Sequence, residues 1–249
     1  MTPGELAVLA AIVFVAFTIH AVTGFASMIA ALVVGGLFFD LAVIRPPLVA
    51  LTIPLNLWFV MRGYRDLAWR VLLRHVLPWM GAGALVGFQL SDAVQGSLLR
   101  RAFGVFVVAV AGRELFRAWK ASQRSGAPEE FSARPPTLWL LAAGLIHGIY
   151  ATGGPPLVYA LSKTEMRKSQ LRATLCAIWL VLNVGLAVGY VARGEIGHDG
   201  WIAALAMLPA MVGAVVAGSW IHGLIDSGRF RVLVHVVLIG AALGLVFRP

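Results

Sequence analysis

Apolar runs fill almost the whole chain, and no acidic residue lies deep in any of them. The first run covers 6–39, and others follow at 46–61, 76–91 and 98–112. After a polar stretch they resume at 137–150, 153–162, 173–192, 200–221 and 232–247. About 20 apolar residues cross a bilayer as one helix. The run 6–39 is too long for one such helix and is interrupted around His20 and Gly24, so two short or broken helices are expected there. The reading is an all-α, polytopic helical membrane protein with about eight to ten segments and no soluble domain.

Composition excludes the other classes. Of the 249 residues, 60% are apolar and 12% are charged, against about 45–50% and about 25% in soluble domains. Disorder needs the opposite balance, and the single cysteine, Cys176, rules out a disulfide scaffold. The net charge of +9 does not point to nucleic acid, because the basic residues sit in short clusters between apolar runs, as membrane topology requires. The residues before Leu6, MTPGE, contain no Lys or Arg, so no secretory signal peptide is expected.

The chain matches itself. A shift of 127 residues places His20 on His147, Arg45 on Arg172 and Asn56 on Asn183. A shift of 131 places Pro78 on Pro209, Gly87 on Gly218 and Arg100 on Arg231. The change of shift implies about four extra residues in the second half, around 193–199. The expected organisation is a first transmembrane repeat (1–112), a cytoplasmic linker (113–136) rich in charge and Pro, and a second transmembrane repeat (137–249).

Loop charges give the orientation. Of the 20 Lys and Arg, 15 lie in loop 62–74, the linker, loop 163–172 and the turn 226–231, which should therefore face the cytoplasm. The turn around Asp40–Arg45 then falls outside, while its repeat partner 163–172 falls inside. The halves are thus expected to be inverted, an arrangement typical of secondary transporters with a midplane site at interrupted helices.

The interrupted segments in matching positions are HAVTGFAS (20–27) and HGIYATGGPP (147–156). Broken helix ends expose N–H groups that attract anions, so Thr23, Gly24 and Ser27, with Thr152, Gly153 and Gly154, are candidate substrate-binding residues. Arg45 and Arg172, at the starts of the third segments, suit an oxyanion. Asn56 and Asn183 could hydrogen-bond a substrate or tie two helices together. His20 and His147 are the proton-coupling candidates. A positive cavity without carboxylates favours an anionic substrate over a cation. No catalytic residue, metal motif, nucleotide motif or cofactor is expected, and the partners are a small anion and the lipid bilayer. Small-residue faces such as Gly81-Ala82-Gly83 permit a homodimer.

TGF (23–25), GGPPLVYAL (153–161), KTEMRKSQ (163–170) and RATL (172–175), with Asn183 beyond, resemble the TauE/SafE family of sulfite exporters, also called TSUP. The resemblance covers nearly the whole chain. It implies a bacterial inner-membrane, multi-pass exporter of sulfite, sulfoacetate or other organosulfur anions working by alternating access. A passive anion channel and a membrane assembly subunit are the competing readings; a membrane-embedded enzyme is disfavoured because no span holds a paired acid and base.

Overall fold

The computed structural model describes residues 2–23, 26–91, 96–123, 134–222 and 227–247. Among them the regular structure is entirely helical. The first half contributes α1 (Pro3–Thr23), α2 (Ser27–Gly35), α3 (Leu41–Gly63), α4 (Trp69–Leu90) and α5 (Gly96–Gln123). The second half contributes α6 (Thr137–Tyr150), α7 (Gly154–Ser162), α8 (Lys168–Ala192), α9 (His198–His222) and α10 (Ser227–Phe247). Five of these, α1, α3, α4, α8 and α9, are long and apolar enough to cross a membrane. Their outer faces carry exposed Phe14, Val15, Leu85, Val86, Val188, Val212 and Val216, a surface suited to lipid.

The helix boundaries repeat with the same shift as the sequence. Adding 127 to the end of α1, both ends of α2 and the start of α3 gives the end of α6, both ends of α7 and the start of α8. Adding 131 to the start of α5 gives the start of α10. The polytopic helical fold read from the apolar runs is therefore what the chain adopts, with ten helices among the described residues. One detail differs: α1 is a full-length helix of 21 residues, whereas its counterpart α6 has 14.

Two other boundaries also move. The expected loop 62–74 shrinks, because α3 runs to Gly63, a single 3-10 turn covers Tyr64–Asp66 and α4 begins at Trp69. A π-helical turn at Leu72–Val76 lies directly before Pro78, whose missing N–H breaks the regular ladder. The first part of the expected linker, 113–123, continues α5 as helix. There Glu114 lies 3.4 Å from both Arg113 and Arg117, which supports a helix in water. Residues 124–133 lie outside the described ones. Basic side chains at the helix ends lie on aromatic rings, Arg62 4.3 Å from the Trp58 centroid and Lys163 5.8 Å from that of Tyr159, an arrangement suited to the bilayer interface.

The chain forms two compact units, and each takes helices from both halves. One comprises Met1–Ile44, Gln95–Ala127 and Ile202–Pro249; the other comprises Arg45–Val94 and Pro128–Trp201. The second unit contains the core of Leu72, Val76, Met80, Leu140, Leu157 and Ile178. Its tightest seam is between α4 and α6. A Cβ on Gly83 would meet the Leu141 carbonyl oxygen, and one on Gly87 that of Leu145. A Cβ on Gly144 would meet the Met80 carbonyl oxygen, and one on Gly148 that of Ala84. Two glycines four residues apart on each helix thus bring the backbones together, the device that substitutes for hydrophobic driving force in lipid. Gly83 is used inside the chain in this way, while a Cβ on Gly81 would meet nothing within 4 Å.

In the same unit, α3 and α8 run antiparallel. Arg45 near the start of α3 lies against Tyr190 near the end of α8. Thr52 meets Asn183 at mid-length, and Phe59 near the end of α3 meets Arg172 near the start of α8. Equivalent helices of an inverted duplication must run in opposite directions, and these two do.

Candidate functional site

Each broken segment brings a histidine to the start of its short helix, and the two are then used differently. In the first unit, α2 begins at Ser27 after Ala26, whose φ of 81° is left-handed. The Ser27 hydroxyl lies 3.0 Å from His20 Nδ1. Both groups are buried, and a proton-coupling candidate and a substrate-binding candidate are thereby bound to each other. Gly24 lies outside the described residues, and Thr23 is described only as the last residue of α1.

In the second unit, α6 ends at Ala151, which is also left-handed, with φ 55°. Its N–H donates to the His147 carbonyl at 2.6 Å. Thr152 and Gly153, both buried, lead into α7. Gly153 is required by space, since a Cβ there would press on the Ala143 carbonyl oxygen and lie 3.1 Å from the His147 Cβ. Pro155 and Pro156 follow Gly154 at the start of α7. They lack N–H groups, so the positive end of this helix offers fewer backbone donors than that of α2.

His147 is fully buried and stacks on Trp179, with ring centroids 5.3 Å apart. Neither of its ring nitrogens has a hydrogen-bond partner. The Asn183 amide is a polar neighbour of the ring. Asn183 Nδ2 donates to Thr52 Oγ1 at 2.8 Å, and the Thr52 hydroxyl donates to the Val49 carbonyl at 2.8 Å. Asn183 Oδ1 is left without a donor. Asn56 Nδ2 donates to the Thr52 carbonyl at 2.9 Å, so both predicted asparagines converge on Thr52. A buried polar atom without a partner costs about 1–3 kcal/mol. Three such atoms on two neighbouring side chains make this the candidate site.

Arg45 and Arg172, equivalent in sequence, part company. Arg45 is 5% exposed. One guanidinium nitrogen donates to the Ile149 carbonyl at the end of α6, another lies 3.7 Å from Glu195, and the group sits 5.3 Å from the Tyr190 centroid. A cation on the last carbonyls of a helix complements its negative end. Glu195 also pairs with Arg193 at 3.7 Å, and Arg193 donates to Gln89 Oε1 at 2.7 Å. Arg172 is exposed and lies over Phe59 at 5.0 Å, away from the His147 cluster.

Sequence reasoning missed Thr52, Trp179, Tyr190 and Glu195. Thr52 and Trp179 were within reach: they are repeat partners at the shift of 127, each one turn before its asparagine.

The fold and the cluster define a multi-pass helical membrane protein with a polar site built into its interior. The family model of the sulfite exporter TauE/SafE matches residues 9–245. The chain belongs to the TauE/SafE family of sulfite exporters, a family of transporters. Neither the curated proteins nor the solved structures give a match.

Proposed function

We propose that this chain exports a small sulfur oxyanion, such as sulfite, sulfoacetate or another organosulfonate, across the bacterial inner membrane by alternating access. The observation that carries the reading is the buried, partnerless ring nitrogens of His147, beside the start of α7, with the partnerless carbonyl oxygen of Asn183 in a member of a sulfite exporter family. His147 supplies an N–H to the anion, and the positive end of α7 favours its charge. Arg45 adds a fixed positive charge over Tyr190, which lies two turns, about 10 Å, along α8 from Asn183. That charge attracts anions towards the site. The antiparallel pair α3 and α8 suits two inverted halves rocking about the cluster.

The test is sulfite flux in proteoliposomes. Asn183→Ala is expected to lower flux about tenfold, the worth of one hydrogen bond to an anion. Unchanged flux and affinity in this variant remove the site. Accumulation against the sulfite gradient in the parent protein separates a coupled transporter from a passive channel.

A further inference from the structure

We infer that the species recognised at the His147–Asn183 cluster is a protonated monoanion carrying its own O–H donor, hydrogensulfite, rather than a bare oxyanion. This deepens the reading above and rests on it. The argument is the hydrogen-bonding polarity of the cluster. The Thr52 hydroxyl gives its proton to the Val49 carbonyl, so its oxygen must accept from the Asn183 amide nitrogen. That fixes the amide, and the atom left over is the carbonyl oxygen, an acceptor. As the neutral ring, His147 offers one N–H and one lone pair. The partnerless atoms of these two side chains therefore provide one donor and two acceptors, while the partnerless Arg45 Nε and Tyr190 hydroxyl lie about 10 Å along α8. Pro155 and Pro156 further thin the backbone donors at the start of α7.

Such a site is poorly matched to sulfate or to the sulfite dianion, which bring only acceptors. Two lone pairs would face the anion, and like polarity in a buried site is costly. Hydrogensulfite accepts from His147 through its sulfur-bound oxygens and donates its hydroxyl to Asn183 Oδ1. The proton then travels on the anion, and neither histidine has to carry it. Thr52 is the positioning residue, because it sets which end of the amide faces the ligand.

The experiment compares anions at one fixed, mildly acidic pH, where hydrogensulfite is abundant. Hydrogensulfite and methanesulfonate are both monoanions, but only the first bears a hydroxyl. Competition against sulfite counterflow in proteoliposomes is expected to rank hydrogensulfite roughly tenfold above methanesulfonate, one hydrogen bond to a charged species, with sulfate weakest. Thr52→Val frees the amide to turn its N–H₂ towards the ligand and is expected to narrow that ratio. Asn183→Leu is expected to abolish it. Methanesulfonate or sulfate equal to hydrogensulfite in the parent protein overturns the inference while leaving anion export in place. Absence of any sulfur oxyanion flux overturns both.

Discussion

The two broken segments are copies of one design, and a single position separates their chemistry. Ser27 begins α2 and lies 3.0 Å from His20. The equivalent of Ser27 at the shift of 127 is Gly154, which offers no hydroxyl, so His147 is left without a partner. One copy is closed on itself and the other keeps its hydrogen-bonding capacity for something else. A second position runs the other way. Ala26 stands where the second copy has Gly153, and at Gly153 a carbonyl and a histidine leave no room for a Cβ. Of the two breaks, the one without a hydroxyl at this position keeps its histidine unpartnered.

The largest effect is expected from Gly153→Ala. The first copy already carries alanine at this position, yet in the second the added methyl meets the Ala143 carbonyl. Stability should fall by about 2–3 kcal/mol, measured as thermal unfolding in detergent. A variant as stable as the parent would show that the two breaks are equally tolerant.

Next comes the arginine pair. Arg45→Met strips the end of α6 of its cation, leaves Glu195 with Arg193 alone, and should cost about 1.5–3 kcal/mol. Arg172→Met, at an exposed site, should stay within about 0.5 kcal/mol. Equal losses in parallel denaturation curves would erase the asymmetry between the two copies.

The smallest and most specific change is Gly154→Ser. A Cβ there has only Trp179 Cζ2, at 3.8 Å, so the side chain fits. Its hydroxyl should engage His147 as Ser27 engages His20, lowering sulfite flux roughly fivefold, about 1 kcal/mol, with stability unchanged. Full flux in this variant would mean that the free imidazole is not what the anion uses.

Much of the fold was legible because the repeat doubled every signal. Histidines, asparagines and prolines that mean little singly became informative in pairs, and helix ends followed the same shift. The polar stretch after Ala111 was harder. A helix that leaves the bilayer and a loop both turn charged, and only the side-chain spacing of Arg113, Glu114 and Arg117 distinguishes them. The split between Arg45 and Arg172 was legible only in part, from the basic loop around Arg172 and its absence around Arg45. It depends on Glu195, which lies in the extra residues following α8, and no property of either arginine's own segment announces that contact. Thr52 escaped notice because a hydroxyl in an apolar run is ordinarily satisfied by its own helix. Its importance lies in what its second lone pair does to Asn183.

The glycine seam between α4 and α6 joins the fourth helix of one copy to the first helix of the other. A single-copy ancestor with the same surfaces could not have closed that seam within one chain. To bury the same glycines, a single copy would have to lend its fourth helix to a neighbour and borrow one in return. Severed between α5 and α6, the halves should be mutually dependent: each alone exposes glycine backbone to lipid, and together they rebuild the shared unit.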